Sequence, residues 1–180
     1  MNERLNERCL CGSTRPFKRC CEPYLTGKAF APTAEALMRS RYSAFVQGHI
    51  DYLMATHHPA HHGVNARVSL QQSIANTRWL NLAVLKTQKG QKKDKSGVVE
   101  FVAAYQAKPS LSLIKAVQNG PVDCEQMHER SHFVKEQGKW FYTTGEMLLP
   151  YVPKRSQPCW CGSGQKFQRC HGKSVLNAHT

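Results

Sequence analysis

Acidic side chains are scarce in this 180-residue chain. Twelve Asp or Glu stand against 25 Lys or Arg, a formal charge of +13. From Lys154 to Thr180 there is no acidic residue at all, against five basic ones. That absence excludes a tail neutralised from within. It leaves a segment that attracts phosphates or acidic protein surfaces, or one that only keeps the chain soluble. Long apolar runs are absent too. Nothing approaches the roughly 20 apolar residues of a membrane span. The start, MNERLNERCLCG, lacks the apolar stretch of a secretory leader, so a cytoplasmic location is expected. Disorder throughout is excluded by a charged fraction of 21% beside a hydrophobic fraction of 41%, enough for one packed core.

What the chain does have is cysteine, eight in all, and seven of them fall in two matched groups. Cys9-Leu10-Cys11-Gly12-Ser13 recurs 150 residues later as Cys159-Trp160-Cys161-Gly162-Ser163. Phe17-Lys18-Arg19 and Phe167-Gln168-Arg169 follow, and the groups close on Cys20-Cys21 and Cys170-His171. The offset is far beyond solenoid repeat lengths, so one small module is used twice around a central domain.

Both modules read C-x-C-x8-C-[CH]. Zinc takes four soft or borderline ligands in a tetrahedron. Cys9, Cys11, Cys20 and Cys21 supply one set; Cys159, Cys161, Cys170 and His171 supply the other. Imidazole serves zinc as well as thiolate does, whereas a disulfide would not tolerate the exchange. Gly12 allows the positive φ of a tight turn. About 20 residues cannot bury enough apolar surface to fold unaided, so each module is expected to order around its ion. Two Zn²⁺ are expected. Iron, which four thiolates also suit, is the alternative. With four protein ligands no place remains for a catalytic water.

The centre reads as α+β. Thr33 as N-cap, an apolar pattern at Leu37, Met38, Tyr42, Phe45 and Val46, and Gly48 as stop predict a helix. Shorter helices are expected at His49–Thr56 and Ser69–Asn76. Strands are expected at Trp79–Lys86, Val98–Ala107, Met127–Lys135 and Lys139–Met147, the last two joined by a turn at Gln137-Gly138. Lys89 to Gly97 reads as an exposed hairpin loop. Pro109 to Asp123 is left open between a short strand and an excursion. The expected domains are 1–28, 29–153 and 154–180.

Both cysteine segments resemble the SEC-C motif found at the C-terminus of the SecA motor. The centre resembles the YchJ family, on Ala31-Pro32-Thr33-Ala34-Glu35-Ala36-Leu37-Met38-Arg39-Ser40-Arg41-Tyr42-Ser43-Ala44-Phe45, Tyr52-Leu53, His58-Pro59, Arg78-Trp79-Leu80, Val99-Glu100-Phe101-Val102-Ala103 and His128-Glu129-Arg130-Ser131. The sequence departs from that pattern at Lys108 to Glu125, which is long. It departs again at Thr14-Arg15-Pro16, where the second copy has Gly164-Gln165-Lys166. The resemblance implies a cystatin-like, or nuclear-transport-factor-two-like, cone: a curved antiparallel sheet around a long helix. It also implies zinc in the modules, with contacts to a chaperone partner or the ribosome. It supplies no reaction.

Other residues carry two readings each. His57, His58, His61 and His62 crowd together, but Pro59 interrupts the helix that would align them, which favours a solvated loop. In His128-Glu129-Arg130-Ser131-His132-Phe133, strand parity puts His128, Arg130 and His132 on one face and Glu129, Ser131 and Phe133 on the other. Arg41, Trp79, His128, Arg130 and His132 are candidate residues for a small-molecule pocket in the cone. The simpler and preferred reading of the strand is a polar network tying sheet to helix, through Arg39 or Arg41. Trp79, Trp140, Phe141 and Tyr142 are expected to pack the sheet against the helix around Tyr42 and Phe45. Cys124 reads as an ordinary thiol. Trp160, Lys166, Arg169 and Lys173 form a candidate partner surface, with Phe167 as a miniature core. The expected function is a non-catalytic zinc-containing adaptor that binds an acidic protein, RNA or the ribosome. The rival is an enzyme or small-molecule receptor working in the cone.

Overall fold

The computed structural model describes residues 8–108 and 124–173. Four helices precede or flank a sheet: α1 (Glu22–Leu25), α2 (Ala34–Gln47), α3 (Ile50–Ala55) and α4 (Ala66–Asn76). Strands β1 (Thr77–Lys89), β2 (Ser96–Ala107), β3 (Glu125–Glu136) and β4 (Lys139–Met147) form an antiparallel meander in that order. Helices on one face of an antiparallel sheet are the α+β arrangement expected. From α2 onward the element order agrees with the sequence reading, with α4 starting three residues earlier, at Ala66; α1 was not expected. Pro109 to Asp123, for which the sequence leaves two options open, lies outside the described residues.

Local signals account for α2. The Thr33 side chain accepts a hydrogen bond from the Ala36 N–H at 3.1 Å, satisfying one orphan donor of the first turn. Gly48 ends the helix with φ +76°, and its N–H returns to the Ala44 carbonyl. Between them, Leu37, Met38 and Tyr42 turn to the sheet, while Ser40, Ser43 and Ala44 are fully buried. These small residues let neighbours come close. Ser40 Oγ donates to the Leu37 carbonyl and lies 2.6 Å from the Tyr52 hydroxyl of α3.

The sheet is covered on both sides. Val99, Phe101 and Ala103 of β2 face α2 and pack with Leu37, Tyr42, Phe133 and Trp140. Val102 and Ala104 face the other way, against Cys159, Trp160 and Phe167 of the C-terminal module. Phe101 to Ala104 are therefore buried without a polar alternate, as in strands covered on both faces. Register shifts between Trp79 and Asn81 and between Val84 and Lys86 add one residue each to β1, Leu80 and Leu85. Both pack on the C-terminal side.

The hairpin between β1 and β2 corrects one expectation. It is not wholly exposed: Gly90 is buried, because the start of α2 lands on it, and its carbonyl accepts from Ala34 N at 2.9 Å. A Cβ on Gly97 would lie 2.5 Å from Gly90 Cα and 3.0 Å from Ala34 Cβ, contacts with backbone and a helix start that cannot swing aside. Gly97→Ala is expected to destabilise the protein by about 1–3 kcal/mol in urea unfolding followed by circular dichroism. A change within about 0.5 kcal/mol, the size of an ordinary surface substitution, would show that the hairpin yields.

Candidate metal centres and the cone cavity

The two terminal modules share the bonds of their C-x-C turns and 3₁₀ turns. In the first, the Cys9 N–H donates to the Arg15 carbonyl at 2.8 Å and the Gly12 N–H to the Cys9 carbonyl at 3.2 Å. In the second, Cys159 donates to Gln165 at 2.8 Å and Gly162 to Cys159 at 3.4 Å. Gly12 and Gly162 have φ of +73° and +81°, the left-handed region a Cβ resists. Each module then runs through one 3₁₀ turn, Phe17–Arg19 or Phe167–Arg169, which delivers Cys20-Cys21 or Cys170-His171 to the C-x-C knuckle.

Four ligand atoms converge in each module, all within 4.8 Å of one another. Cys11 and Cys20 sulfurs are 3.6 Å apart, and Cys20 and Cys21 are 3.9 Å apart. Cys161 and Cys170 are 3.6 Å apart, while His171 Nδ1 is 3.3 Å from both Cys159 and Cys170. A tetrahedron with metal–sulfur bonds of about 2.3 Å has edges of about 3.8 Å. A disulfide would hold its sulfurs at about 2.05 Å, and none of the eight cysteines is in one.

The thiols resist ionising together. Hydrogen bonds from the Cys11 and Cys21 thiols hold Cys9 down to about 3, and the same crowding pushes Cys21 far above the thiol range. In the second module, burial raises Cys159 to about 11. Burial also acts to raise Cys161, but hydrogen bonds from Ser163 outweigh it and the thiol ends lower. Four buried thiolates need a cation between them, and these donor sets suit a thiophilic divalent ion.

The surroundings differ between the two cages. All four ligands of the first are buried. Ser13 Oγ lies 3.0 Å from the Cys20 sulfur, and Arg15 Nη2 donates to it at 3.5 Å. Arg39 of α2 donates to the Cys11 carbonyl at 2.8 Å. The second cage is half-exposed at Cys161, Cys170 and His171. There Trp160 lies over the His171 ring, centroids 4.3 Å apart, and His171 Nε2 is 3.6 Å from the Cys124 sulfur. Cys124 is thus not an ordinary thiol. It sits behind a ligand, where a partner fixes the imidazole's orientation and tautomer. Its distance along the chain hid that role from the sequence.

Each knuckle grips β1. A Cβ on Gly12 would lie 2.6 Å from the Leu82 carbonyl oxygen, and one on Gly162 would lie 2.8 Å from Asn81 Cγ. Asn81 Nδ2 also donates to the Trp160 carbonyl at 2.9 Å. Consecutive residues of one strand are held by the two modules, one from each face of the sheet.

Several expected site residues are placed differently. Trp160, expected on a partner surface, is 7% exposed, because the second module docks on the sheet. Phe167 is a buried core residue as expected. His128, Arg130 and His132 do not line the cone, because β3 turns Met127, Glu129, Ser131 and Phe133 inward instead. His128 and Arg130 belong to a polar network on the outer face. His128 lies 2.6 Å from the Leu149 carbonyl and 3.3 Å from Glu100, and Arg130 pairs with Glu100 and Glu146. A polar network is present, but it joins the sheet to the 148–153 linker and not, as expected, to the helix through Arg39 or Arg41, which bond the Cys11 and Leu53 carbonyls instead. Glu100 is lowered: burial acts to raise it, and the Arg130 and His128 contacts outweigh that.

Arg41 and Trp79 do line the cone, a cavity of about 440 Å³ between α2, α4 and the sheet. Trp79 packs on Tyr42 and Phe45, with ring centroids 6.1 and 6.0 Å apart. His57 lines it too. It is not a solvated loop residue: it bridges to Tyr142 of β4, its Nε2 faces the Thr143 carbonyl at 3.3 Å, and burial lowers it to about 4.

A meander sheet backing a long helix, flanked by two cysteine knuckles, defines an NTF2-like protein carrying SEC-C motifs. Residues 33–145 match the family model of the YchJ middle NTF2-like domain, and residues 6–23 and 155–173 match the SEC-C motif. The chain belongs to the YchJ family. A UPF0225 protein of Photorhabdus laumondii is 39% identical over 172 residues, covering 93% of this chain and all of that one. A UPF0225 protein of Serratia proteamaculans is 37% identical over 167 residues, covering 93% and 99%. A SEC-C motif containing protein from Rhodopseudomonas palustris, solved in solution, superposes with a TM-score of 0.65 at 30% identity, over 79% of this chain and 99% of that one. One from Psychrobacter arcticus gives 0.61 at 28%, over 94% and 97%.

If the cages hold metal, Cys11→Ser and Cys161→Ser should each remove one of two ions per chain, read by elemental analysis of the purified protein. Cys124→Ala should keep both ions while weakening the second site about 10–100-fold in competition with a chromophoric chelator. Unchanged affinity would reduce Cys124 to packing.

Proposed function

We propose that this protein is a zinc-stapled adaptor whose C-terminal module recognises an acidic protein segment. Zinc is assigned to both cages over iron: it fits mixed thiolate–imidazole sets, and the cages differ in this one ligand while sharing their geometry. The domains are assigned as 1–28, 29–153 and 154–180, the outer two ordering around their ions. With four protein ligands each, the ions hold structure and perform no reaction.

The observation that carries the partner reading is a concavity on the outer side of the second module. It is lined by Gly164, Gln165, Lys166, Arg169 and Lys173, all exposed. None of the three cations enters an ion pair among the described residues, so their charge is available to a partner. RNA is the weaker candidate. Single strands are held by aromatic platforms as well as cations, and the module's aromatics, Trp160 and Phe167, are both buried.

The test is fluorescence anisotropy of the zinc-loaded chain with a ten-residue Asp/Glu-rich peptide and with a single-stranded RNA of equal charge. The peptide should bind, weaken steeply with salt, and lose at least tenfold in affinity with Lys166→Glu/Arg169→Glu. Tighter binding to the RNA, or binding indifferent to the charge reversal, would overturn the assignment.

A further inference from the structure

Arg41 is a cation in the wrong place for a solvent-facing role. It projects from the middle of α2, is 8% exposed, and enters no ion pair among the described residues. Nη1 donates to the Leu53 carbonyl and to Thr56 Oγ1, both at 2.7 Å, and the guanidinium lies over the Tyr142 ring at 4.8 Å. These contacts fix its direction but supply no negative charge. A guanidinium keeps its proton even here: burial lowers Arg41 only to about 10. Among the described residues one carboxyl lines the cavity, Glu129; it is bonded to Ser131, burial raises it and the charge of Arg41 acts the other way, but no hydrogen bond joins it to the guanidinium. A buried guanidinium with no carboxylate directly on it is costly unless something else brings one.

The cavity beside it is built to stay empty of side chains. α4 covers it with Ala66, Ser69, Leu70 and Ser73, one helical stripe of mostly small residues, and no residue of α4 is buried. The opposite wall carries Phe45, Trp79 and Phe101. Trp79 Nε1 is itself buried without a hydrogen-bond partner among the described residues. Exposed Gly63 and Ser69 in the lining bring the cavity to the surface.

We propose that this cavity binds a small carboxylate with a flat apolar body, its carboxylate on Arg41 and its ring against Phe45 and Trp79. The ligand supplies the directly bonded carboxylate that Arg41 lacks among the described residues, and the apolar walls take the rest. This site lies on the α2 side of the sheet, away from the C-terminal module, and is independent of the partner reading above.

The probes are 2-naphthoate and its neutral isostere 2-naphthamide, titrated into the full metal-loaded chain by NMR and calorimetry. Naphthoate should bind at least tenfold tighter than the amide. Ser73→Phe, which fills the cavity from half-exposed α4 and leaves Arg41 untouched, should weaken naphthoate at least tenfold with the circular dichroism spectrum and metal content unchanged. Lys166→Glu/Arg169→Glu should leave it bound as before. Equal binding of acid and amide would overturn the carboxylate. Indifference to Ser73→Phe, or loss on the charge reversal, would overturn the location. No binding of either probe at millimolar concentration would overturn the site.

Discussion

The structure hangs on the way two four-ligand knuckles close on adjacent residues of β1. Each module is too small to bury a core of its own. Each solves that by resting its glycine against the strand, Gly12 on Leu82 and Gly162 on Asn81. The contact works both ways. The first knuckle extends the helix-side core, with its four cysteines packed among Leu37, Tyr42 and Leu82. The second covers the outer face, and without it Val102 and Ala104 would open to water. A four-stranded sheet with helices on one side normally leaves its other face polar. Here part of that face is apolar because a cysteine module roofs it.

The modules and the long helix were legible because their signals are local. Ligand spacing, a Thr33 cap and a Gly48 stop each act within a few residues. Strand parity along β3 was legible as well. Parity sorts side chains into two sets but does not say which set faces inward. That depends on the pairing of Phe101 with Glu129 and on which face α2 covers, and both sets carry charged residues. The outer set was the one offered for the cavity, and the inner set lines it. Trp160 misled for a related reason. Its counterpart Leu10 is 47% exposed, while Trp160 is 7% exposed, because the two copies meet the sheet in different surroundings. A repeat conveys a module's internal geometry and nothing of what it docks against. Cys124 and His57 were missed because their partners lie 47 and 86 residues away.

Burial also separates the roles of the two cages. With a divalent ion in place, four thiolates leave the first cage at a formal charge of about −2, and three thiolates with an imidazole leave the second at about −1. The first meets its excess nearby. Arg15 donates to the Cys20 sulfur, and Arg39 to the Cys11 carbonyl. The second has Gln165 in place of Arg15, so the substitution of Cys21 by His171 and of Arg15 by Gln165 removes one negative and one positive group together. Its remaining cations, Lys166, Arg169 and Lys173, are not consumed by the cage and stand exposed around one concavity. The same scaffold thus gives a buried staple at one end and an exposed basic face at the other. Two charge-matched exchanges and one change of docking face account for the difference.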